Sequence, residues 1–118
     1  MKIVVVGLGY VGLSNAVMLA QHNEVIGVDI LQDRVDAVNA RKSPIIDVEL
    51  SKYLAKKDLN LSASTDLNAS VRGADYVIVS TPTNYDEQTN FFDTSLVETV
   101  IDQVVANEPK ACIVVKST

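Results

Sequence analysis

Short apolar runs alternate along this chain with patterns of helical spacing, and that alternation predicts an α/β domain on a doubly wound, mostly parallel sheet. Two observations sharpen the prediction. The runs Ile3-Val4-Val5-Val6 and Tyr76-Val77-Ile78-Val79 do not alternate with polar residues, as expected of strands covered on both faces. The first run passes directly into Gly7-Leu8-Gly9-Tyr10-Val11-Gly12, a glycine pattern that opens a helix.

Five strands are expected, at Lys2–Val6, Val25–Asp29, Leu59–Ala63, Tyr76–Ser80 and Ala111–Lys116. Between the first two, Ala16, Val17, Leu19 and Ala20 recur at helical spacing, and Gln21-His22-Asn23 breaks the pattern. Gln32 to Ala40 reads as a helix that turns Val35 and Val38 inward. Pro44 forbids its continuation, and Asp47 is placed to cap a helix from Val48 to Lys57. Thr65-Asp66 caps a brief helix, Leu67 to Arg72, which Gly73 ends. Asn84 to Asp93 reads as a polar loop. Ser95 and Glu98 form a capping box for a helix whose stripe is Val97, Val100, Ile101, Val104 and Val105, and Glu108-Pro109 stops it.

The residues from Lys2 to Asp29 form a complete dinucleotide fingerprint: strand, Gly-x-Gly-x-x-Gly, helix, second strand, and an acid about 20 residues past the glycines. Each part has a physical task. Gly7 permits the tight exit from the strand, Gly9 lets a pyrophosphate approach the backbone, and Gly12 lets the helix pack closely. The helix N-terminus offers N–H groups and a positive dipole end to phosphates. Asp29 is able to accept hydrogen bonds from both hydroxyls of an adenosine ribose and would oppose a 2′-phosphate, so it favours NAD over NADP. Arg34, five residues on, fits equally a contact with adenine or a phosphate and a solvated helix arginine. In such sheets ligands lie at the carboxyl ends of the strands, where Gly7–Gly12, Asp29, Ser80–Thr83 and Ser117–Thr118 converge. Thr81 and Thr83 bring hydroxyls to that edge; each reads equally as an ordinary loop residue.

Composition bounds the remaining classes. A chain of 118 residues, 47% hydrophobic and 21% charged, is one globular domain with a sizeable core. Its net charge of −5 argues against nucleic acid and anionic membranes as partners. No apolar run has the length of a membrane helix, and a strand at the very N-terminus leaves no room for a signal peptide, so a cytoplasmic location is expected. Cys112 is the only cysteine, which excludes an intrachain disulfide; its apolar neighbours predict a buried strand position and an inert thiol. His22, the only histidine, reads as a solvated loop residue, and no residue is assigned to a metal.

Several ordered segments together resemble the UDP-glucose/GDP-mannose dehydrogenase family, and within it the UDP-glucose 6-dehydrogenases. They are GLGYVGLSNAVMLAQHNEVIGVD, SPIIDVEL, ADYVIVSTPTNYD with TNFFDTS, and the closing IVVKST. The resemblance spans the whole chain and only the N-terminal, NAD-binding part of such an enzyme. It implies a Rossmann-type domain of a cytoplasmic enzyme that oxidises a nucleotide sugar at C6, reducing two NAD, with a homodimeric parent. The family's nucleophilic cysteine, with its lysine, asparagine and aspartate, lies in a C-terminal domain, and Cys112 does not match it. This chain alone is therefore expected to bind NAD without turnover. By resemblance, Gly7, Gly9, Tyr10, Val11 and Gly12 match the pyrophosphate site, Asp29 the ribose acid, Arg34 a contact to the adenosine end, and Thr83 a cofactor contact. Thr118 matches a threonine that helps hold the catalytic water. A sister activity on UDP-N-acetylmannosamine or GDP-mannose, and a non-catalytic NAD-sensing domain, are the alternatives.

Overall fold

A computed structural model describes residues 1–42, 52, 54, 59–80, 84–86, 91–93, 95–108 and 110–115. Their strands are β1 (Lys2–Val6), β2 (Glu24–Val28), β3 (Leu61–Ser64), β4 (Tyr76–Val79), β5 (Asn84–Asp86), β6 (Phe91–Asp93) and β7 (Cys112–Val115). The helices are α1 (Tyr10–Leu19), α2 (Gln32–Asn39), α3 (Leu67–Val71) and α4 (Ser95–Asn107). Five strands form one sheet in the order β3-β2-β1-β4-β7, with every pairing parallel. The five expected strands are thus all present, each within two residues of its expected ends.

The central strand explains the double winding. Ile3 and Val5 belong to one apolar cluster, with Leu13, Ala16 and Val17 of α1 and Val38 of α2. Val4 and Val6 belong to the other, with Val71 of α3 and Val100 and Val104 of α4. Successive side chains of a strand point to opposite faces, so a run of four buried β-branched residues requires a cover on each side. Lys52 and Leu54 are helical, and Leu54 is fully buried in the first cluster; the rest of the expected helix Val48–Lys57 lies outside the described residues.

Three expectations are corrected. The expected loop Asn84–Asp93 contains a two-stranded antiparallel ribbon, β5 with β6, in which Tyr85 pairs with Phe92. Aromatic residues favour extended backbone, and Tyr85, Phe91 and Phe92 outweigh the polar residues among them. Cys112 is exposed rather than buried, because β7 pairs only with β4 and ends the sheet among the described strands. The α4 stripe is narrower than its sequence: Val100 and Val104 are buried, while Val105 is 52% exposed.

Local stops follow the expected chemistry. Asp66 caps α3 by accepting from the Ala69 N–H at 3.1 Å. Gly73 takes φ +76° just beyond that helix, a left-handed conformation that glycine adopts without a Cβ clash.

Candidate functional site

The neighbours of β1 in the sheet are β2 on one side and β4 on the other, so the chain leaves β1 at the point where the winding reverses. Such a switch point opens a crevice at the carboxyl ends of the strands. Here the crevice has a volume of about 940 Å³ and is lined by Gly7, Gly9, Val11, Asp29, Arg34 and Ser80, among others. Its far wall comes from the segment Thr65–Asn68 after β3 and from Thr99, Val100 and Gln103 of α4.

The three glycines of the loop do different things. Gly7 has φ +94°, and its N–H bonds to the Val28 carbonyl at 2.7 Å, so the loop turns sharply while still tied to β2. A Cβ on Gly12 would stand 1.7 Å from the Gly7 carbonyl oxygen, so the helix start and the strand exit touch through bare backbone. A Cβ on Gly9 would meet nothing within 4 Å, and its φ of −74° is open to any residue. Nothing in the packing of the described residues demands glycine there; the space it leaves belongs to the crevice. Gly9 is also the N-cap of α1, which has no side-chain cap and no acid in its first turn. The first bond of that helix runs from Leu13 N–H to Gly9 O at 2.9 Å, so the N–H groups ahead of Leu13 have no intrahelical acceptor. An uncapped helix start beside an open notch is suited to a pyrophosphate.

Asp29 follows β2 directly and is 7% exposed. Its Oδ2 accepts from the Leu8 N–H at 2.8 Å and from Arg34 Nη1 at 3.3 Å, and its Oδ1 accepts from the Leu31 N–H at 2.9 Å. Arg34, with 40% of its side chain exposed, therefore sits beside the acid as its ion-pair partner. The structure brings together the glycine loop, the backbone of Tyr10 and Val11, Asp29 and Arg34. Thr81, Thr83 and Thr118 lie outside the described residues. His22 is exposed, as expected. Among the described residues, no group of His, Cys, Asp and Glu side chains is arranged to hold a metal, and no helix is long and apolar enough to cross a membrane.

Sequence reasoning brought Leu8 and Ser80 to the crevice only as members of Gly7–Gly12 and Ser80–Thr83, and gave neither a role of its own. Leu8, the variable residue between the first two glycines, is fully buried. Ser80, at the end of β4, lines the crevice with a buried Oγ that has no hydrogen-bond partner among the described residues. Its Cβ lies 3.3 Å from where a Gly12 Cβ would stand, so a small residue fits best. The pattern offered only one signal for either, their position at a strand's carboxyl end.

Comparison with known proteins now decides the family. The model of the UDP-glucose/GDP-mannose dehydrogenase family, NAD binding domain, matches residues 1–118. The chain belongs to that family. It is 50% identical to UDP-glucose 6-dehydrogenase of Streptococcus pneumoniae over 118 residues, which are all of this chain and 30% of the relative. It is 39% identical to UDP-glucose 6-dehydrogenase of Campylobacter jejuni over 120 residues, again all of this chain and 30% of the relative. The fold superimposes on a ternary complex of GDP-mannose dehydrogenase from Pseudomonas aeruginosa with a TM-score of 0.89 and 31% identity, over 100% of this chain and 28% of that one. The chain thus spans under a third of the relatives it matches, and that part is the family's NAD-binding domain. The open notch at Gly9, the uncapped start of α1 and the volume of the crevice fit that cofactor.

Proposed function

We propose that this domain is the cofactor-binding part of an NAD-dependent UDP-glucose 6-dehydrogenase, which converts UDP-glucose to UDP-glucuronate and works as a cytoplasmic homodimer. The 50% identity to the Streptococcus pneumoniae enzyme over all 118 residues carries this reading. Oxidation of GDP-mannose is the second reading, supported by 35% identity over 109 residues to GDP-mannose 6-dehydrogenase of Pseudomonas aeruginosa. The bound cofactor supplies a hydride acceptor; the residues of this chain bind and orient it. In this reading Gly7, Gly9, Tyr10, Val11 and Gly12 take the pyrophosphate, Asp29 the adenosine ribose, and Arg34 the adenosine end. Thr81 and Thr83 add hydroxyl contacts, and Thr118 helps to hold the water that attacks late in the reaction.

The domain carries no counterpart of the family's nucleophile, so it binds NAD without forming NADH from UDP-glucose. Calorimetric titration tests the assignment of Asp29. NAD should bind at least about tenfold more tightly than NADP, the scale expected when a carboxylate opposes a 2′-phosphate. Asp29→Ala should erode that preference. Equal affinity of the unsubstituted domain for both cofactors removes Asp29 from ribose recognition. Appearance of NADH with UDP-glucose in a Cys112→Ser chain would place chemistry in this domain after all.

A further inference from the structure

Leu8 occupies the freely variable position of the glycine pattern, yet β2 and the acid that follows it hold it at both ends. Its side chain is fully buried against Gly27, where an added Cβ would come within 2.7 Å of Leu8 Cδ2. Its N–H donates to Asp29 Oδ2 at 2.8 Å in a buried bond. Gly27 and Asp29 are two residues apart and so face the same side of the extended backbone. The same carboxylate is fixed from its other oxygen by the Leu31 N–H at 2.9 Å. The only other backbone tie described between the loop and β2 is Gly7 N–H to Val28 O, one residue earlier.

We infer that Leu8 is a positioning residue for the pyrophosphate loop and that Gly27 and Asp29 form its socket. Asp29 then does two things with one carboxylate. It accepts from the ribose in the reading proposed above, on which this inference rests, and it holds the loop that carries the phosphate-binding N–H groups. A hydrogen bond to a buried carboxylate is stronger than one between neutral groups, so removing the acid frees Leu8 and displaces the donors one and two residues on. Phosphate affinity and ribose affinity are therefore coupled through the Leu8 N–H, and a lesion in one subsite weakens the other.

Two probes separate the roles: ADP, and 2′,3′-dideoxyadenosine 5′-diphosphate, which lacks the ribose hydroxyls. Both are titrated by NMR into the unsubstituted chain, Asp29→Ala and Asp29→Asn. The asparagine keeps the side-chain shape, but it forces either Leu8 or Leu31 to face an amide donor. The dideoxy probe should lose about tenfold in affinity to Asp29→Ala, and about threefold or more to Asp29→Asn, the scale of one charge-assisted hydrogen bond lost or neutralised. The Leu8 amide should also exchange faster in Asp29→Ala, which removes its acceptor, while amides of α4 keep their rates. Gly27→Ala should weaken both probes alike and leave the preference for NAD over NADP intact. Dideoxy affinity within about twofold of the unsubstituted chain in Asp29→Asn and in every folded Asp29→Ala sample overturns the inference. Equal binding of ADP and the dideoxy probe to the unsubstituted chain would instead remove the ribose role and leave the socket standing.

Discussion

In β1 every residue from Ile3 to Val6 is at most 4% exposed, whereas in β7 Val114 and Val115 are 37% and 50% exposed and Cys112 is open to solvent. The two strands have similar composition, Ile-Val-Val-Val against Cys-Ile-Val-Val. Their difference is one of place. β1 has a strand on each side and an apolar cluster on each face, while β7 pairs, among the described strands, with β4 alone. The glycine loop leaves the better-buried strand, so the site is anchored where the backbone is least free to move. Burial at the sheet centre turns sequence into position; at the edge the same residues specify little.

Gly12→Ala attacks the centre most directly. The new Cβ would meet the Gly7 carbonyl oxygen at 1.7 Å, and both atoms belong to backbone with no side-chain freedom. We expect a loss of at least about 3 kcal/mol in stability, the upper range for overpacking, together with loss of measurable NAD binding. Thermal unfolding and calorimetry check it; a folded variant with unchanged affinity would show that the loop tolerates a wider turn than its contacts allow.

Val4→Ala and Val115→Ala test the centre against the edge with the same chemical change. Val4 is fully buried, so its two lost methyl groups leave a cavity, and about 2 kcal/mol should be lost. Val115→Ala should stay within about 0.5 kcal/mol, as surface changes do. Equal losses in urea unfolding would mean that β7 is covered in solution.

Gly9→Ala sharpens the contrast within the loop itself. Unlike Gly12, Gly9 faces open space at an ordinary φ, so stability should hold within about 0.5 kcal/mol. NAD affinity should nevertheless drop by about tenfold, because the methyl group occupies the approach to the helix N-terminus. A fall in stability with no fall in affinity would reverse the assignment of the two glycines.

The same contrast explains how much was legible in the sequence. The unbroken apolar runs of β1 and β4 announced strands covered twice, and the fingerprint from Gly7 to Asp29 announced the crevice, because both depend on neighbours in sequence. Cys112 was misread because burial of an apolar strand depends on where the sheet places it, which no local pattern records. The β5–β6 ribbon was missed because Asn84 and Asp93 read as loop residues until paired with one another. The clamp on Leu8 was invisible for a related reason: it joins a variable position to an acid 21 residues away.

Cys112 carries the smallest expected effect and separates edge from centre without disturbing either. Its side chain is exposed on an outer strand of the sheet as described, so access governs its reactivity. A disulfide-exchange reagent should label it in the folded chain within about tenfold of its rate in urea, whereas a thiol buried in β1 would wait for unfolding. Cys112→Ser should change stability by less than about 0.5 kcal/mol, since the hydroxyl stays solvated. NAD affinity should be the same in both, because the Cys112 end of β7 pairs with Tyr76, at the end of β4 opposite the crevice. Labelling seen only on unfolding would place Cys112 in a buried strand and erase the distinction between β7 and β1.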